Sequence, residues 1–155
     1  MSSAPGGDGN ILLNVGPRPT GEIDAAQVEL LKKIGAWMKQ NGESIYATRG
    51  GPYKPGLWGA STCKENVIYL HIATYDDGNS ITLPPIGRKI VGSKLLAGGE
   101  VQVEQNEEAV KVSVPFDNQG DVYTVVKLEL DGPAFEIPLV NVGESDSKDE
   151  KEQKH

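Results

Sequence analysis

The chain has 155 residues, 37% of them hydrophobic, and a formal net charge of −7. That length suits one domain of about 100–150 residues, or one domain with a piece of another. The acidic balance argues against nucleic acid and anionic membrane as partners, because both reward clustered Lys and Arg. Cys63 is the only cysteine, so no disulfide forms within the chain, and no apolar run approaches the ~20 residues of a bilayer-spanning helix.

Met1-Ser2-Ser3 leads directly into Gly-rich sequence with no signal-type apolar region, so no export address is read in this chain and its location stays open. Gly6-Gly7-Asp8-Gly9 resembles a phosphate loop only superficially: a dinucleotide fingerprint follows a strand, whereas this one precedes the next apolar run. That run, Ile11-Leu12-Leu13-Asn14-Val15, lies between Gly9 and Gly16-Pro17 and reads as a strand buried on both faces. Pro17 to Gly21 makes a turn. Asp24 then stands where an N-cap belongs, with Gln27 placed to close a capping box and Ile23 to staple onto Val28.

The helix expected over 24–41 carries Val28, Leu31, Ile34 (or Gly35), Trp37 and Met38 on one stripe, and Gly42 is expected to end it in a left-handed conformation. A strand followed by a helix, with no such unit before it, reads as the last βα unit of a parallel sheet whose earlier part is absent. Residues 45–62 are Gly- and Pro-rich but hold Tyr53 and Trp58, unlike a flexible linker. They are expected to form a packed strap anchored by those two rings.

From there the pattern is β. Strands are expected at 67–74, 80–83, 90–96, 101–105, 110–114, 122–130 and 135–140, separated by turn sequences such as Asp76-Asp77-Gly78-Asn79. Short strands at intervals of about 8–12 residues indicate a sandwich or small barrel. Residues 144–155 contain no apolar side chain and are expected to form a disordered tail.

Two runs carry a family resemblance: G-N-I-L-L-N-V-G-P-R-P-T-G-E-I, and Q-V-E-L-L-K-K-I-G-A-W-M-K-Q-N-G-E-S-I-Y-A-T-R-G-G-P. They are similar to the C-terminal part of the α-L-fucosidases of glycoside hydrolase family 29. The resemblance implies a mainly β chain: a C-terminal sandwich of about seven or eight antiparallel strands, preceded by one strand-helix unit left over from a (β/α)8 barrel. The implied divisions are 1–44 for the barrel unit, 45–62 for the strap, 63–143 for the sandwich and 144–155 for the tail. It further implies a retaining hydrolase that removes α-L-fucose from glycans with no metal or organic cofactor. Members are often secreted, periplasmic or lysosomal.

Such hydrolysis needs two carboxylates about 5–5.5 Å apart. The resemblance puts both upstream of anything present here, and Asp8, Glu22 and Asp24 do not replace them: the first precedes the strand and the others serve the helix start. The chain is therefore expected to be accessory and inactive alone, reaching a fucosylated glycan only through the complete enzyme. Its expected partners are the missing barrel half and, through the exposed strand, a second copy of itself.

Three residues at the C-terminal end of the barrel strand, Asn14, Gly16 and Arg18, are the candidates for touching substrate, because barrel enzymes keep their chemistry at that end. Tyr69, His71 and Tyr75 read as one strand face and are a candidate glycan platform, with packing against the strap or barrel as the competing reading. A free-standing carbohydrate-binding or structural sandwich is the alternative function. No metal site is expected: Asp76 to Asn79 lacks the calcium-loop spacing, and His71 with Cys63 supplies two ligands where structural zinc takes four.

Overall fold

The computed structural model describes residues 3–143; the tail expected at 144–155 lies outside them. Eight strands form two antiparallel sheets. They are β1 (Arg49–Gly50), β2 (Gly59–Lys64), β3 (Val67–Ile72), β4 (Ser80–Leu83), β5 (Ile90–Leu95), β6 (Gln102–Gln105), β7 (Val110–Ser113) and β8 (Thr124–Leu130). The larger sheet runs β1-β2-β3-β8-β5 and the smaller β4-β7-β6. A one-turn helix α1 (Ser3–Gly6) and the 17-residue α2 (Ala25–Asn41) precede them.

The strand expected over 67–74 forms over 67–72, and its side chains alternate between the two faces. Ile68, Leu70 and Ile72 point inward, joined by Leu128 and Leu130 from β8 and facing Ile81, Leu83, Val110 and Val112 of the smaller sheet. All nine are at most 1% exposed. This is the dry inter-sheet layer that defines a sandwich. The strap closes one end of it. Tyr53 is completely buried, donates its hydroxyl to the Pro84 carbonyl at 2.8 Å, and meets Trp58 edge-on at 6.1 Å between centroids. Trp58 Nε1 in turn donates to the Lys54 carbonyl at 3.0 Å.

Some elements depart from expectation. β2 begins inside the segment read as strap, and its start depends on Gly59: at φ +137°, a Cβ there would stand 1.9 Å from the His71 carbonyl oxygen. Residues 135–140 do not form a strand. Pro133 and Pro138 remove ladder donors, and the segment becomes a 3-10 turn (Ala134–Glu136) with one bridge from Val140 to Tyr53. Gly42 is right-handed (φ −59°, ψ −29°), because the chain tightens directly into a 3-10 turn (Gly42–Ser44). A Cβ there would lie 2.9 Å from the ring of the exposed Tyr46, which would have to shift to admit it.

The largest departure is at Ile11 to Val15, which is not a strand. A strand buried on both faces requires partners on both edges and cover on both sides, and none of the described residues supplies them. Leu12 is 88% exposed and Leu13 52%.

Candidate functional site

The N-terminal layer, residues 3–48, lies on the outer face of the larger sheet. α1 approaches β2 so closely that a Cβ on Gly6 would stand 2.8 Å from the Ala60 Cβ. α2 starts as expected, with the Asp24 carboxylate accepting from the Ala26 N–H at 3.0 Å. The capping box does not close, and Gln27 Oε1 is buried without a partner. Ile23 bridges back to Pro17 instead of stapling onto the helix. The predicted stripe of Val28, Leu31, Ile34, Trp37 and Met38 is the covered side of α2, yet each of those residues is only half-buried.

Between this layer and the start of the strap is an open cavity of about 610 Å³ whose wall includes Asp8, Ile11, Trp37, Met38, Tyr46 and Arg49. One side of it is an ion pair that sequence reading missed. Asp8, held at φ +62°, accepts from Arg49 Nε at 2.8 Å and Nη2 at 2.5 Å, and from the Gly50 N–H at 3.0 Å. The Arg49 hydrogen bonds hold the Asp8 carboxyl far below the usual carboxylate range. It stays ionised and committed, which removes it as an acid/base candidate. No local pattern joins two residues 41 positions apart; the only hint was an acid and a base each followed by glycine.

The residues assigned to a barrel mouth do not converge. Asn14, Gly16 and Arg18 all lie on the exposed segment after Ile11. Arg18 is committed to the helix start: Nη2 donates to Asp24 Oδ2 at 2.6 Å and its backbone N–H to the Glu22 carbonyl at 2.8 Å. The Asp24 carboxyl is lowered in consequence, first by Arg18 and then by the Ala26 N–H.

The glycan platform is corrected by burial. Tyr69 is 4% exposed and His71 is fully enclosed, because the N-terminal layer covers that face. Tyr75 is not on it. β3 ends at Ile72, the amides of Ala73 and Thr74 both turn to the Trp58 carbonyl, and Tyr75 packs against the inter-sheet core. A sugar cannot stack on rings that are already covered. Among the described residues no group of three or more His, Cys, Asp and Glu side chains is placed to hold a metal ion.

The described acids of the N-terminal layer and strap are mostly engaged in structure: Asp8 with Arg49, Asp24 with Arg18 and the helix start, Glu29 with Lys32. What stands open is hydrophobic. Ile11, Leu12, Leu13, Val15 and Ile23 form an exposed apolar run, with Leu30 of α2 exposed as well. Other large apolar side chains, Leu57 and Phe116 among them, are exposed elsewhere, but singly along the chain.

The family described as Alpha-L-fucosidase matches residues 5–43 of this chain, which include that run and all of α2. The human plasma α-L-fucosidase is 31% identical over 119 residues, an overlap of 69% of this chain and 25% of that protein. Among solved structures, α-L-fucosidase isoenzyme 1 from Paenibacillus thiaminolyticus superposes with a TM-score of 0.70 at 35% identity, covering 79% of this chain and 31% of that one. An α-L-fucosidase from Vibrio sp. strain EJY3 gives a TM-score of 0.73 at 27% identity, covering 88% and 25% respectively. The chain thus spans about a quarter of the length of the curated relatives it matches.

Proposed function

We infer, for a chain that belongs to the α-L-fucosidases of glycoside hydrolase family 29, that it serves as the C-terminal portion of such an enzyme and is inactive alone. The hydrolysis of α-L-fucosyl linkages belongs to the complete enzyme, whose remaining part carries the nucleophile and the acid/base. The observation that supports this reading is the exposed run Ile11, Leu12, Leu13 and Val15. It is an apolar segment of strand-like sequence without strand neighbours, lying in the residues that match the family.

In the complete enzyme the run docks as a strand among others and α2 covers its outer side. Asn14 and Gly16 then lie toward the end of that strand where barrel enzymes bind substrate. Arg18, held by Asp24, shapes the turn behind them. The alternative of a free-standing glycan-binding sandwich receives no support from Tyr69 and His71, whose rings are enclosed.

The test is a fucosidase assay of the purified chain on an aryl α-L-fucoside. No turnover above background is expected, because retaining hydrolysis needs a carboxylate pair about 5–5.5 Å apart. Turnover that survives repurification and disappears on substituting a carboxylate within residues 3–143 overturns the reading.

A further inference from the structure

We propose that His71 is a pH-sensitive latch between the helix layer and the sandwich, and that a proton on its Nδ1 releases α2 from the sheet while the sandwich stays folded. The inference is independent of the proposed activity. His71 sits mid-strand on the outer face of β3 with no exposed surface, and α2 lays Trp37 against it at 6.3 Å between ring centroids and 36° between planes.

The hydrogen bonds determine which nitrogen carries the proton. His71 Nε2 is 3.1 Å from Thr62 Oγ1, and Thr62 gives its own proton to the Ser44 carbonyl at 2.6 Å. A hydroxyl has one proton to give, so Thr62 accepts from Nε2–H and the neutral ring presents a lone pair at Nδ1. That Nδ1 is buried without a partner, and so is the Nε1–H of Trp37. An acceptor and a donor left over on neighbouring rings are compatible through one bridging water. A second proton makes both of them donors and adds an enclosed positive charge with no acceptor at Nδ1.

Apart from the Ser44 carbonyl of the 3-10 turn, nothing packed around the ring offsets that charge. β2 presents Ala60 and Thr62 beside it, β8 presents Val125, and α2 presents Trp37. Of the charged groups these elements carry on this side, Lys127 of β8 is 3.8 Å from Glu129, and Lys64 of β2, Lys33 and Lys39 of α2, and Glu43 of the 3-10 turn are exposed. Tyr69, on the same strand face, has its phenol pushed further up by burial and stays neutral. Burial lowers the His71 pKa from 6.5 to about 4, against the Ser44 carbonyl, which favours the charged form.

Because the docked value is lowered, docking is fully favoured above pH 6.5 and weakens as pH falls toward 4. Over that interval the undocked form gains on the order of a hundredfold in population, since each unit of difference in pKa is tenfold. α2 is the element that yields, because its stripe is half-buried while the inter-sheet layer does not touch His71.

The experiment is nuclear magnetic resonance on the labelled 155-residue chain, titrated from about pH 7.5 to about 3.5, with hydrogen exchange corrected for its intrinsic pH dependence. His71 is expected to titrate well below 6.5, the Trp37 indole signal to move with the same midpoint, and α2 protection to fall about a hundredfold relative to β3 and β8. His71→Gln keeps a donor for Thr62 and does not titrate, so its α2 protection is expected to stay flat. Release of α2 in that variant over the same range, or a His71 titration whose midpoint does not coincide with helix release in the wild type, overturns the proposal. If the variant fails to fold, the wild-type midpoints decide alone.

Discussion

The two faces of the five-stranded sheet are covered by different chemistry. Its inner face meets the smaller sheet through Ile68, Leu70, Ile72, Leu128 and Leu130, all at or below 1% exposure. Its outer face meets α1, α2 and the 3-10 turn through Thr62, Tyr69 and His71, under a helix whose apolar stripe is only half-buried. Gln27 and Trp37 of α2 and His71 each hold a buried polar atom without a partner, and Tyr75 holds one beside the inter-sheet core. The first interface is the drier and more fully enclosed of the two. The second is less enclosed and holds more of the buried polar groups without partners, which are costly and rare.

Truncating the two interfaces separates them. Leu128→Ala empties a fully enclosed site and is expected to cost about 2–5 kcal/mol, with thermal melting displaced accordingly. Leu31→Ala on the incompletely buried stripe of α2 is expected to cost less, about 1–2 kcal/mol, since Leu31 keeps part of its surface exposed. Hydrogen exchange should show that second loss confined to α2. Equal costs at the two positions would mean that the helix layer is as integral as the sandwich.

Smaller effects sharpen the contrast. Asp24→Ala removes the cap of α2 and its bond to Arg18, and is expected to fray the first helical turn without moving the sandwich transition. The Asp24 carboxyl lies below its ordinary 3.8 in the folded chain, so its contribution is present above that pH and is lost as the pH falls below it. The wild type and this variant should therefore converge in acid, as measured by helix ellipticity. Leu12→Lys, at a side chain 88% exposed, should leave stability within about 0.5 kcal/mol. It should nonetheless reduce concentration-dependent light scattering. A large stability loss there would mean that the run belongs to this chain's own core.

How much of this was legible in the sequence follows the same division. Alternation over 67–74 and the turn-bounded run at 80–83 marked those strands because the inward face of each packs on residues of the same chain. β2 was missed: Gly59 to Lys64 is a run of small and polar residues with no apolar alternation, and its two-residue turn at Glu65-Asn66 lacks the glycine that marks such hairpins. Ile11 to Val15 failed in the opposite sense. Its pattern encodes a burial that the described residues do not provide, so the segment stays open however strong its apolar character. The Asp8–Arg49 pair was invisible because only the folded strap brings its members together.

That pair has a counterpart at the other end of the open run. Asp8 is fastened to Arg49 and the Gly50 amide on one side, and Arg18 to Asp24 on the other. The segment between them is therefore a loop with both ends tied, not a free arm. Its exposed ion pairs contribute little to folding, but they restrict where Leu12 and Leu13 are found. A tethered loop has already surrendered part of its conformational freedom, so any surface that covered it would order it at a smaller entropic penalty than a dangling peptide of the same sequence.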